Sequence, residues 1–253
     1  MHKRLNVYQN KYKTLLLQAN VFQTPLYWCL SKLVETNFYR KFAKNYLSTV
    51  NLRLIGGPKF DVFQYPKIEA AIKNRLSKDH GIVVYFGSYR GGLSWTVEHE
   101  LSDCMWGHAG ILVVTDKGIE TRNITSHGFL CEYLPDYLAK IDDFAVGFFP
   151  MSAATEKEAY VRLNRVMEAV ARGQVDYDYS MHLTQNVTDF ISKGIPLPAG
   201  NLPLQLYCSE LVYEIVNVLT PNVIVPTWLY DRYIVEPDNV YLAAEHLFEE
   251  INP

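Results

Sequence analysis

Trp106-Gly107-His108-Ala109-Gly110-Ile111-Leu112-Val113 is a histidine opening an apolar strand, and Tyr207-Cys208-Ser209-Glu210-Leu211-Val212 is a cysteine opening an apolar helix. Thiol hydrolysis needs such a pair, a sulfur nucleophile and an imidazole base that the fold brings together. A cysteine at a helix start feels the positive end of the helix dipole, which favours thiolate. The backbone N–H groups exposed there can also hold an oxyanion. After Cys208, the residues Leu211, Val212, Ile215, Val216 and Leu219 recur at helical spacing and define a face for burial.

A third polar group has to orient the imidazole, and Glu120, twelve positions after His108, is the candidate. Residues 108–114 alternate as a half-buried strand does, Asp116-Lys117-Gly118 reads as a hairpin turn, and Ile119 to Ile124 would return antiparallel. The simplest hairpin sets His108 opposite a residue near 125. Glu120 therefore meets His108 only if the turn is offset or its strand lies beside a different neighbour. Asn123 on the same returning strand, a backbone carbonyl or a water is the fallback.

Outward from these segments, helix-like spacing covers residues 3–20, 25–47 and 66–76, and strands are expected near 82–87, 108–115, 118–125 and 144–149. Thr155-Glu156-Lys157-Glu158 has a capping-box pattern at the start of a long helix that ends before Gly173. Residues 192–206 read as a Pro- and Gly-rich loop leading into Cys208. Ile55-Gly56-Gly57-Pro58 is the clearest breaker, which divides the chain into an extension, 1–55, and a main domain, 56–253.

The 253 residues are 49% hydrophobic, enough for a sizeable core. The four cysteines, at 29, 104, 131 and 208, are too scattered for a disulfide framework and suggest a reducing compartment. The opening Met-His-Lys-Arg-Leu lacks the apolar region of a secretory signal, and no apolar run reaches spanning length, so a cytoplasmic location is expected. Charge is uneven: residues 1–53 hold nine Lys or Arg against one acid, Glu35, a net +8, and the rest holds 15 basic and 26 acidic residues, a net −11. The basic segment would suit peripheral contact with an anionic membrane. A helical pair packed on the main domain is the preferred reading, since its aromatic residues are not confined to one face. Nucleic acid is not an expected partner, because the main domain is acidic and lacks a recognition motif.

Four segments, in order, resemble the circularly permuted papain-like cysteine hydrolases, the YiiX-like amidases of the NlpC-type superfamily, related to lecithin–retinol acyltransferase. Gly81-Ile82-Val83-Val84-Tyr85-Phe86-Gly87 looks like that family's opening strand, and Trp106-Gly107-His108-Ala109-Gly110-Ile111 like its histidine motif. Val175-Asp176-Tyr177-Asp178 looks like its Tyr-Asp motif, and Tyr207-Cys208-Ser209-Glu210-Leu211-Val212 like its cysteine motif. The resemblance spans most of residues 79–235. It implies an α+β fold with a permuted papain-like core, an antiparallel sheet packed on the nucleophile helix, and a helical N-terminal extension. It also implies Cys208 as nucleophile, His108 as base and Glu120 as orienting group, with neither metal nor organic cofactor. Tyr177, Trp106 and Tyr207 are the expected substrate-binding residues beside the cleft.

A competing pattern, Cys104-x-x-x-His108 with His127-x-x-x-Cys131, resembles four zinc ligands. His108 opens a strand, however, where positions four apart lie roughly 13 Å from each other, a poor chelate. The expected activity is a thiol-dependent amidase or peptidase acting through an acyl-enzyme on Cys208, with a peptide, a cell-wall peptide or a lipid acyl group as substrate. A lipid acyltransferase or esterase of the same fold is one alternative. A catalytically silent binding or structural module is the other.

Overall fold

Gly81–Ser88 (β1) is buried along its whole length. This explains its unbroken apolar run, since a strand covered on both faces has no solvent side to mark with polar residues. In the computed structural model, which describes residues 59–88, 105–125, 128–178, 183, 185–195, 203–219, 223–229 and 232–250, this strand lies inside a six-stranded antiparallel sheet. Its partners are His108–Thr115 (β2), Gly118–Thr125 (β3), Gly128–Tyr133 (β4), Asp143–Pro150 (β5) and Glu245–Glu250 (β10), in the order β10-β5-β1-β2-β3-β4. Val175–Tyr177 (β6) pairs in parallel with Leu204–Leu206 (β7), and Thr227–Leu229 (β8) pairs with Arg232–Ile234 (β9). The helices expected at 3–20 and 25–47 and the boundary at 55–58 lie outside the described residues.

Among the described residues, six helices cover the two faces. Tyr65–Leu76 (α1) and Leu134–Leu138 (α2) enclose one core, with Ile68, Ile72, Val83, Tyr85, Leu112, Tyr137 and Phe144. Ala153–Ala171 (α3), Gln185–Lys193 (α4), Cys208–Leu219 (α5) and Pro237–Ala243 (α6) enclose the other, with Ile82, Val84, Phe86, Ala109 and Ile111. The fold is α+β. Alternation along each strand assigns its residues to the two cores: in β2, Ala109 and Ile111 go to the α5 side and Leu112 to the α1 side. On α5, Leu211, Val212, Ile215 and Val216 are fully buried, each stabilising the packing by about 1.5–3 kcal/mol.

The hairpin from β2 to β3 is tight. Thr115 pairs with Gly118 and Ile111 with Arg122, so only Asp116 and Lys117 lie between the paired ends. The cap of α3 falls earlier than its sequence suggests: Ser152 is the N-cap, its Oγ accepting from the Thr155 N–H at 3.1 Å, and Thr155 lies inside the first turn. Two strands carry weak sequence signals and complete the sheet edges, β4, which is largely exposed, and β10. Arg75 of α1 ties β10 down, with Nη2 2.5 Å from Glu245 Oε2 and its guanidinium 4.5 Å over the Phe148 ring. Among the described residues, no helix is long and apolar enough to cross a membrane.

Candidate active site

Cys208 is the first residue of α5, and the start of that helix is fixed from the segment before α6. Ser209 Oγ donates to the Val235 carbonyl at 2.7 Å, and the Tyr207 hydroxyl accepts from the Val235 N–H at 3.0 Å. The Leu211 N–H reaches the Tyr207 carbonyl at 3.0 Å and closes the first turn. Cys208 itself is 6% exposed. Burial pushes its thiol up; hydrogen bonds from the backbone of Ala109, from Ser209 and from its own N–H pull the other way. The thiol thus meets β2 at Ala109, one residue past His108.

His108 begins β2 opposite Gly87 of β1. Its ring lies among polar and aromatic groups: Asn123 stands beside it and favours its charged form, the Tyr85 ring centroid is 6.0 Å away, and the Glu132 carboxylate acts on it through space. Burial lowers its pKa from 6.5 to about 4, against the opposing pull of Asn123 and Glu132. At neutral pH the site therefore rests as a neutral thiol and a neutral imidazole. Two glycines open the space for the aromatic wall. A Cβ on Gly110 would stand 2.5 Å from the Tyr85 ring, and one on Gly87 would stand 2.2 Å from the Tyr137 hydroxyl.

Glu120 is not with this group. It pairs with Val113, five residues along β2 from His108, about 16 Å at strand rise. Its carboxylate accepts from Arg122 Nη2 at 2.5 Å and from Cys131 Sγ at 3.4 Å. Arg122 also reaches Met167 of α3, so Glu120 lies on the α3 side. The tight hairpin explains this: it sets Asn123 one step past the Ile111–Arg122 pair, near His108, and carries Glu120 toward the turn. The contact expected of Glu120 is made by Asn123.

Two of the expected substrate-binding residues belong to the core. Trp106 is fully buried, with ring centroids 6.0 Å from Phe86 and 5.4 Å from Tyr241. Tyr207 is 2% exposed, and its hydroxyl serves Val235. Their apolar bulk, not contact with a substrate, accounts for their positions. Tyr177 ends β6 half-buried, opposite Leu206, two residues before Cys208.

Cys131 contacts Glu120, whereas the neighbours of the His108 ring are Asn123, Tyr85 and Glu132. The zinc pattern is therefore not assembled from these two, while Cys104 and His127 lie outside the described residues. Among the described residues no three His, Cys, Asp or Glu are grouped to hold a metal ion. Sequence reading missed Asp238 and Ser88. Asp238 accepts from the Met105 and Trp106 N–H groups at 2.9 Å each, and Ser88 Oγ accepts from the Gly107 N–H at 3.2 Å. Their position 19 or more residues from the segment they hold leaves no local signal.

No family model matches the chain, and no curated protein matches it. Among solved structures, the chain is similar to metalloprotein yiiX from Escherichia coli O157:H7, with a TM-score of 0.51 and 14% sequence identity. The alignment covers 69% of this chain and 99% of that one. At this identity the likeness concerns the fold, which is YiiX-like.

Proposed function

We propose that the chain is a papain-like cysteine hydrolase of permuted order, with Cys208 as nucleophile and His108 as base, and that residues 56–253 form its hydrolase domain. The observation that carries this reading is the thiol of Cys208, at the first residue of α5, hydrogen-bonded to the backbone of Ala109 directly after His108. A helix start, a thiol and an oriented imidazole at one end of a sheet match what acyl transfer requires.

In this reading the neutral ring of His108 takes the thiol proton as sulfur attacks an amide or ester carbonyl. General-base attack is favoured over a standing thiolate–imidazolium pair, because burial disfavours both charged forms. Backbone N–H groups in the first turn of α5 hold the tetrahedral oxyanion. The imidazolium then returns its proton to the leaving amine or alcohol, leaving a thioester on Cys208. Water attacks the thioester with its proton passing to His108, the acid departs, and the thiol is restored. Asn123 holds the ring in position throughout, and Tyr177 lies close enough to the start of α5 to contact the acyl portion.

The yiiX neighbour is described as a metalloprotein. The described residues of this chain offer no matching donor group. The test is a burst assay with p-nitrophenyl acetate. One equivalent of nitrophenolate should appear with an acetyl adduct on Cys208 found by mass spectrometry, and Cys208→Ala should abolish both. A burst that survives Cys208→Ala, or a folded wild type with no adduct, overturns the reading.

A further inference from the structure

The segment 105–107 delivers the chain into β2 one residue before His108, and its three consecutive N–H groups are all taken by side chains from distant parts of the sequence. Asp238 Oδ2 accepts from Met105 and Asp238 Oδ1 from Trp106, both at 2.9 Å. Ser88 Oγ accepts from Gly107 at 3.2 Å and donates to the Met105 carbonyl at 3.1 Å. Asp238 is 8% exposed and Ser88 is fully buried. Charge-assisted bonds in such surroundings are the stronger kind and hold geometry tightly.

The supports are themselves rigid. Asp238 sits in the first turn of α6, whose N-cap is a reciprocal box between Glu236 and Asn239. One helical turn on, Tyr241 packs edge-on to Phe86 and lies under the Trp106 ring. The same face of α6 therefore grips the backbone of residue 106 and seats its side chain. Ser88 closes β1, beside the Gly87–His108 pair. A shift of the 105–107 segment would move the His108 Cα directly, with no intervening joint.

We propose that Asp238, with Ser88 as its counterpart, is a positioning residue that fixes the approach of His108 to Cys208. The inference rests on the catalytic pair proposed above. It makes the last helix of the described chain part of the catalytic geometry, 130 residues away from the histidine that it places.

The test is a double-mutant cycle on the rate of Cys208 alkylation by iodoacetamide, read by peptide mass spectrometry. His108→Ala should slow the reaction. Asp238→Asn keeps the shape but gives up one acceptor oxygen and the charge, and it should slow the reaction by about tenfold or more, as misplacement of a reacting group does. In the His108→Ala background, Asp238→Asn should add nothing, whereas a merely structural loss would slow both backgrounds alike. Equal slowing with and without His108, or a wild-type rate in folded Asp238→Asn while His108→Ala is slow, overturns the proposal and leaves the pair standing. A wild-type rate in His108→Ala removes the base itself, and the positioning role with it. If Asp238→Asn does not fold, Ser88→Ala, which frees the Gly107 N–H, is run through the same cycle and decides by the same criteria.

Discussion

Asn123 stands beside the imidazole of His108 on the neighbouring strand and favours its charged form, and its buried Oδ1 has no hydrogen-bond partner among the described residues. The placement is set by backbone register: the two-residue turn between β2 and β3 fixes which residue of the returning strand stands beside His108. An amide can hold a neutral imidazole in one tautomer without adding charge, which suits a ring whose pKa burial has already lowered.

Asn123→Ala is therefore expected to lower kcat by roughly ten- to a hundredfold, the scale of losing an orienting contact, with a far smaller change in KM. Glu120→Gln should leave both constants near wild type. That carboxylate serves Arg122, toward the β2–β3 turn and away from His108, and the pair is partly exposed, so its loss should cost at most about 1 kcal/mol of stability. Steady-state kinetics on the two variants, with urea midpoints to control for folding, decides. A rate loss confined to Glu120→Gln would return the orienting role to Glu120.

The pH profile offers a second check. His108 acts as a base only when neutral, and with a pKa near 4 it is neutral across the whole range above that value. The acid limb of kcat/KM should fall at about pH 4, well below the ordinary histidine value of roughly 6.5. Glu132 favours the charged ring, so Glu132→Gln should move the limb lower still. A limb near 6.5 would show that the ring is solvated in the working enzyme.

Much of this arrangement is written in local sequence. Apolar runs and alternation mark β1, β2, β3 and β5, and the cysteine at the start of an apolar helix marks α5. The hairpin turn at Asp116-Lys117 carries enough information to place a residue near 125, and not Glu120, beside His108. What stays hidden is set by tertiary packing. Trp106 and Tyr207 look amphipathic in sequence, and only the assembled core shows that their rings face inward. Strand β4 is an edge with a mixed pattern, and β10 follows α6 after a single residue, so neither has a periodic signature. Asp238 and Ser88 act on a segment remote in the chain, which no spacing rule detects.

Packing limits are testable at Gly110. A methyl group there would collide with the Tyr85 ring, and both belong to the wall around His108. Gly110→Ala should destabilise the fold by about 1–3 kcal/mol through overpacking. Tyr85→Phe should not relieve it, because the clash includes ring carbons as well as the hydroxyl. Thermal denaturation of the single and double variants measures both effects. A neutral Gly110→Ala would mean that the strand shifts freely at this point.

Metal content is a further measurement. With Cys131 engaged by Glu120, the His108 ring beside Asn123, and no three-residue donor group among the described residues, the purified protein is expected to carry no stoichiometric zinc. A chelator should leave its melting temperature unchanged. Elemental analysis showing one tightly held zinc per chain, lost together with His108, would take that residue out of the base role.

The final prediction joins two buried groups whose effects on stability oppose each other. Glu214 of α5 is fully buried, its Oε1 accepting from Thr188 at 2.6 Å, and burial raises its pKa from 4.5 to about 7 despite Thr188 and the nearby Arg162. Between pH 4.5 and 7 the folded state keeps this proton while the unfolded chain releases it, so stability falls as pH rises, by up to roughly 3 kcal/mol. His108 behaves in the reverse sense. Its folded pKa of about 4 lies below the ordinary 6.5, so the unfolded chain binds the proton first and stability falls as pH drops across that window, by a similar amount of roughly 3 kcal/mol. Over the shared interval, about pH 4.5 to 6.5, the two slopes cancel. Wild-type stability should be nearly flat there as far as these groups control it. Glu214→Gln keeps the acceptor for Thr188 and removes the titration, so its stability should rise with pH across the interval. His108→Ala should show the opposite slope, falling with pH. Urea unfolding at half-unit pH steps separates the three curves, and parallel curves for wild type and Glu214→Gln would mean that Glu214 titrates as an ordinary surface carboxylate.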